Sequence, residues 1–221
     1  MARPKPQSAI RFPLSSVFGT EANVRVLREL SRHRGQLDAS TLVKRTKLTL
    51  PSVLSAISTL VEFGILDEAG SGRSRLFSMN RISPFNISIL SLFDAEESRF
   101  KGVIEAVKEC AASLGNKVIA AWIYGSVARG EDRAQSDLDV LLIAHEEEVA
   151  SVQSWSVDFL LAKGEALLFS PSVNTLSLAD IRRLMQNNDP MWQAIVNDAL
   201  VLNGLRPTSI FQATLDKKVP T

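Results

Sequence analysis

The chain has 221 residues, 25 Lys+Arg against 24 Asp+Glu for a net charge of +1, and 45% hydrophobic residues. That is enough for one large or two small domains with cores of their own. No apolar run reaches the ~20 residues of a membrane span, and the basic start MARPKPQSAIRF lacks the apolar centre of a signal peptide, so a cytoplasmic protein away from membranes is expected.

The single cysteine, Cys110, excludes an internal disulfide and reads as a small packing residue on a helix. The net charge conceals a division. Met1 to Phe85 holds 13 Lys+Arg and 6 Asp+Glu, a net of +7; the remainder holds 12 and 18, a net of −6. A basic first half favours a polyanion partner.

Thr20 caps a helix over EANVRVLRELSRHRG, with Glu21 in its first turn and Gly35 beyond its end. Arg32, His33 and Arg34 read as its solvated end. Asp38 caps a second short helix, ASTLVKRTK, and Thr49 a third, with Pro51 in its first turn. In the third helix Val53, Leu54, Ile57, Leu60 and Val61 fall on one face, and Thr49, Ser52, Ser55 and Ala56 point outward. Gly64 ends it. Ile65-Leu66-Asp67 and Arg75-Leu76-Phe77-Ser78 then flank a Gly-rich turn, which predicts a hairpin.

Three short helices followed by a hairpin resemble the winged helix-turn-helix of MarR- and ArsR-like regulators, over roughly residues 15–84. In such a module the third helix enters the major groove of double-stranded DNA by its N-terminal part. The resemblance makes Arg45, Lys47, Thr49, Ser52, Ser55, Arg73 and Arg75 the candidate DNA contacts, the basic ones touching phosphate. No Arg, Asn or Gln stands at the front of the helix for a bidentate base contact. A winged helix used for protein contacts or dimerisation is the alternative.

Ser83-Pro84-Phe85-Asn86 breaks the pattern. A long helix is predicted from Ile89 to Leu114, within a linking segment 85–114. It reads as a bridge between domains, a homodimer seam or a packed core helix.

Val118 to Tyr124 is a short apolar run with β-branched residues, a buried strand. Gly125-Ser126 and the helical turn Val127-Ala-Arg-Gly130 follow. The next strand is predicted from Asp137 to Ile143, which puts Asp137 and Asp139 on one face and Leu138 on the other. Two carboxylates on one face repel each other unless a cation lies between them. Oxygen ligands of this kind suit Mg²⁺ or Mn²⁺. Gly125 lets backbone approach a phosphate, and Ser126 opens a helix whose free N–H groups face an anion. Trp122, Trp155 and Trp192 read as core.

The string Gly125-Ser126, Ala128-Arg129-Gly130 and Ser136-Asp137-x-Asp139 resembles the minimal (MNT) type of the nucleotidyltransferase superfamily, the DNA-polymerase-β-like fold, over residues 115–206. The resemblance implies that Asp137 and Asp139 hold metal. It makes Gly125, Ser126, Arg129 and Ser136 contacts for a nucleoside triphosphate, with ATP the expected one. A third carboxylate on a third strand, expected at Ala166 to Ser170, would activate an incoming hydroxyl. No Asp or Glu occurs from Ala166 to Leu178, where Asn174 is at best a neutral oxygen ligand. Catalysis, and nucleotide binding without turnover as a sensor or scaffold, both stay open.

The resulting expectation is an α+β protein: an N-terminal winged helix-turn-helix and a C-terminal nucleotidyltransferase α/β domain with a small mixed sheet. Its expected partners are double-stranded DNA, an NTP with Mg²⁺, a second copy of itself and, by the MNT resemblance, a HEPN-like protein in a toxin–antitoxin pair.

Overall fold

Thr20 accepts a hydrogen bond from the Asn23 N–H at 3.1 Å and so starts the first long helix. In this computed structural model, which describes residues 8–210 but not the Arg73 side chain, a short turn α1 (Leu14–Val17) precedes that helix, α2 (Glu21–His33). Strand β1 (Leu37–Asp38) leads into α3 (Ala39–Thr46), where the Asp38 carboxylate accepts from the Thr41 N–H at 2.8 Å. Helix α4 (Leu50–Glu62) is capped by Thr49, with Pro51 in its first turn, as the sequence predicts. Strands β2 (Leu66–Ala69) and β3 (Leu76–Met79) form the expected hairpin. They join β1 in an antiparallel sheet of order β1-β3-β2, with Leu37 opposite Phe77 and Leu66 opposite Met79. Two residues of β1 carry no periodicity, so that strand was invisible in the sequence.

Val26, Leu27, Leu30, Leu42, Val53, Ile57, Leu60 and Phe77 bury one core between these helices and the sheet. The face of α4 differs from the expectation. Ala56 is buried at 2% exposure and Leu54 stands 37% exposed. Residues 53, 56, 57 and 60 make the i, i+3, i+4, i+7 stripe, and Leu54 lies about 100° round the helix from Val53.

Helix α5 (Asn86–Leu114) starts slightly earlier than predicted. The chain divides into two units between Ser98 and Arg99, within this helix. In the first unit, Arg28 donates twice to Glu96, at 2.6 and 2.8 Å, Arg32 pairs with Glu97 at 2.7 Å and Arg34 with Asp94 at 3.1 Å. The end of α2 is therefore clipped to acidic groups of α5 rather than simply solvated. Counted to Ser98, the first unit has 13 Lys+Arg and 9 Asp+Glu, a net of +4.

The second unit is built on β4 (Val118–Tyr124), the short helix α6 (Gly125–Arg129), β5 (Leu138–Ala144), α7 (Val149–Leu167), β6 (Pro171–Ser177), α8 (Leu178–Gln186), α9 (Pro190–Asp198) and β7 (Leu200–Gly204). The strands lie in the order β6-β5-β4-β7. β5 and β6 are parallel and the other pairs antiparallel, so the sheet is small and mixed, as expected. One face packs Ala121, Ile123, Leu138, Val140 and Leu142 with Val107, Cys110 and Leu160. The other packs Trp122, Leu141 and Ile143 with Ile181, Trp192 and Ile195. Trp155 is 38% exposed and stacks on Phe159 with centroids 4.8 Å apart, a correction to its reading as core.

The third strand is also corrected. The apolar run Ala166 to Ser170 is not a strand: α7 continues to Leu167 and ends at Leu168 in the left-handed region, φ 56°. The Arg99 side chain caps this end, donating to the carbonyls of Leu167 and Leu168. β6 begins at Pro171, tolerated because β6 is an edge strand and Pro171 its first residue.

Candidate functional site

The carboxyl end of β4 delivers Tyr124 opposite Asp139 of β5, and Asp139 lies beside Ser172 of β6. In-register residues share a sheet face, so Tyr124, Asp139 and Ser172 crowd one end of one face. The Asn174 side-chain amide donates to the Tyr124 hydroxyl at 3.1 Å and closes the group. The chain turns sharply at Gly125, whose φ is +75°. A Cβ there would collide with the Asp139 carboxylate. Glycine is needed at this position twice, for its left-handed conformation and for its bare approach to Asp139.

Asp137 is exposed and stands one residue before β5, which starts at Leu138 rather than at Asp137 as predicted. Its charge still reaches Asp139. Burial first, and then Asp137, raise the Asp139 pKa above the usual carboxylate value; a hydrogen bond from Ser172 and the charge of Arg129 oppose them. Burial likewise pushes the Tyr124 phenol up.

The remaining nucleotide-site candidates have partners within the fold. Arg129 donates to Glu131 at 2.8 Å and to Asp198 of α9 at 2.8 Å. The Ser126 carbonyl accepts from the Glu131 N–H at 2.9 Å. The Ser136 hydroxyl accepts from the Arg133 N–H at 2.9 Å, and the Ser136 N–H donates to the Arg133 carbonyl at 2.9 Å. Ser136 thus closes the turn that leads into Asp137. Among the described residues no three or more His, Cys, Asp or Glu side chains form a group that could hold a metal ion. A groove of about 740 Å³ lies nearby, but it is lined by Leu138, Val103 and Phe169, on the side away from Asp139.

Residues 105–203 match the family model described as Polymerase beta, Nucleotidyltransferase. The match runs from the second part of α5 to β7 and contains every nucleotide-site candidate. The second unit therefore carries a polymerase-β-like nucleotidyltransferase domain. A crystal structure of a toxin–antitoxin with AMP-PNP is 15% identical, with a TM-score of 0.36 over 52% of this chain and 85% of that one. A mutant of the toxin–antitoxin MntA-HpeT is 13% identical, with a TM-score of 0.37 over 52% and 85%. A mutant of the type III plasmid segregation protein TubR is 16% identical, with a TM-score of 0.31 over 43% of this chain and 99% of that one. No curated protein matches.

Sequence reasoning missed Tyr124 and Ser172 as neighbours of Asp139, and Asp198 as the partner of Arg129. Tyr124 was detectable, because it precedes Gly125 on the strand that pairs with β5. Ser172 was hidden by the misplaced third strand. Asp198 has no local signal and is brought in by α9.

In the first unit, Lys47 is exposed with φ +55°, between α3 and the Thr49 cap. Arg45 reaches Glu29 at 3.9 Å. The Thr49 and Ser52 hydroxyls are 2.9 Å apart, Ser52 is half-buried and Ser55 is exposed. Arg75 pairs with Glu68 at 3.3 Å across the hairpin. The Arg73 side chain lies outside the described part. Leu50 and Leu54 are 49% and 37% exposed among these groups, which lowers the polarity of the surface.

Proposed function

We propose that the polymerase-β-like domain binds a nucleoside triphosphate, ATP in the first instance, with Mg²⁺ or Mn²⁺. It transfers the nucleoside monophosphate to a hydroxyl acceptor and releases pyrophosphate. The observation that carries this reading is the packing of Gly125 against Asp139. It sets a backbone turn with no side chain directly beside a partly buried carboxylate, on the strand end where Asp137 also arrives.

Each residue has a task in this reading. Asp137 and Asp139 are the oxygen ligands for the ion, which neutralises phosphate charge during an in-line displacement. The N–H groups that open α6 at Gly125 and Ser126 face the phosphates. Arg129, braced by Glu131 and Asp198, adds positive charge beside Asp139. Ser136 holds the loop that presents Asp137. The acceptor, by family resemblance, is a HEPN-like partner protein.

The first unit is a winged helix-turn-helix on this reading, and the protein a DNA-binding regulator acting as a homodimer. Its α2-β1-α3-α4-β2-β3 order and the exposed Lys44, Arg45 and Lys47 support the DNA-binding part of this reading. A second reading, nucleotide sensing without turnover, is favoured by one observation: Ser172 and Asn174, both neutral, are the β6 residues on the carboxylate face.

Incubation with α-phosphate-labelled ATP, Mg²⁺ and candidate protein acceptors tests the proposal. Label should pass to the acceptor with wild-type protein and drop by at least about 10²-fold in Asp137→Asn/Asp139→Asn, a loss typical when catalytic groups are removed. Transfer surviving in that variant would exclude the site. Nucleotide binding without any transfer would select the sensor.

A further inference from the structure

We infer that this site takes a single divalent ion, delivered together with the triphosphate, and does not hold metal by itself. The inference rests on the nucleotide-binding reading above and concerns which residues stand in for the missing third acid.

The register decides where that acid would have to be. Asp139 pairs with Ser172 and Leu141 with Asn174 in the parallel β5–β6 ladder. In-register neighbours on adjacent strands project from the same face, so Ser172 and Asn174 are the β6 side chains that flank Asp139. Both are neutral. Ser172 lies opposite Asp139 in the ladder, where its hydroxyl opposes the rise of the Asp139 pKa. Asn174 donates to Tyr124 at 3.1 Å. No other acidic side chain gathers with the two aspartates into a set of three among the described residues.

Two carboxylates, one exposed and one half-buried beside a serine, leave most of an octahedral coordination sphere to water. Mg²⁺ in such sites is held by one or two carboxylates plus substrate phosphates. The phosphate oxygens are then the missing anionic ligands, and metal affinity depends on nucleotide. A second ion would need a further carboxylate beside the two aspartates, and the β6 residues that flank Asp139 supply none.

Mn²⁺ titration followed by the electron paramagnetic resonance of the free ion tests this on the full chain. Without nucleotide, wild-type protein should bind Mn²⁺ only weakly, and Ser172→Asp should tighten binding by about tenfold or more, through its added charge. With saturating AMP-PNP, wild type should hold one Mn²⁺ per bound nucleotide and Ser172→Asp two. Asn174→Asp is the second variant, should Ser172→Asp fold poorly, and the wild-type stoichiometry decides independently of both. Two ions per wild-type chain with AMP-PNP, or tight nucleotide-free binding that Asp139→Asn abolishes, would overturn the inference and leave the nucleotide site standing. Absence of AMP-PNP binding under every condition would overturn the nucleotide reading itself.

Discussion

Asp139 is held where its charge is disfavoured. Burial and the charge of Asp137 raise its pKa, and the Ser172 hydrogen bond and Arg129 compensate only in part. A raised carboxylate pKa means that the folded protein binds the proton more tightly than the unfolded chain. Stability is therefore lost as pH rises from the ordinary value of 3.8 through the folded pKa, and the loss persists at neutral pH. Asp139→Asn removes that penalty. Its Tm should exceed wild type at pH 7, on a scale of about 2–4 °C per kcal/mol for a chain of this length, and the gain should vanish below about pH 3, where both forms are neutral. A thermal melt series across pH checks it; an equal or lower Tm at pH 7 would show that the fold, and not ligand binding, accounts for Asp139. Gly125 makes room for that carboxylate, a left-handed residue with no Cβ to strike it.

The elements show how far the sequence could be read. Helix caps are local chemistry, so Thr20, Asp38 and Thr49 announced α2, α3 and α4 correctly. The turn and acid pair at Gly125-Ser126 and Asp137-x-Asp139 were legible for the same reason: they are short and their spacing is constrained. Long-range pairing was not. The apolar run at residues 166–170 looked like a strand, but α7 continues through it to Leu167 and the polar, β-branched Pro171–Ser177 pairs with β5 instead. That shift hid Ser172. The ion pairs that tie α2 to α5 were likewise beyond any local pattern, joining residues 60–68 apart. They engage three arginines of the basic half, while Lys44, Arg45 and Lys47 lie exposed at the corner between α3 and α4. Replacing Lys44, Arg45 and Lys47 by alanine should weaken binding to duplex DNA nearly uniformly across sequences. It should also reduce the slope of log affinity against log salt by up to about 3. A fluorescence-anisotropy salt series reads this; an unchanged slope would remove that corner from the DNA surface.

At the scale of the whole molecule, the chain joins two units with opposite charge balance. The first has a net of +4 and the rest of the chain 12 Lys+Arg against 15 Asp+Glu, a net of −3. The polymerase-β-like match covers only the second unit and the end of α5. That division fits a protein that meets a polyanion with one unit and a nucleotide with the other. On the proposed reading, a cation and backbone N–H groups at the Gly125–Asp139 end of the sheet offset the charge of the acidic unit where a triphosphate binds. Among the described residues no helix is long and apolar enough to cross a membrane.

The central claim is that this strand end binds a nucleotide with its metal. Calorimetric titration of ATP·Mg²⁺ into wild-type protein and into Asp137→Asn/Asp139→Asn tests it most directly. The expected result is saturable one-to-one binding in the wild type, weakened at least about tenfold, or 1.4 kcal/mol, in the variant. Equal affinity in the two proteins, or no binding to either, would contradict it.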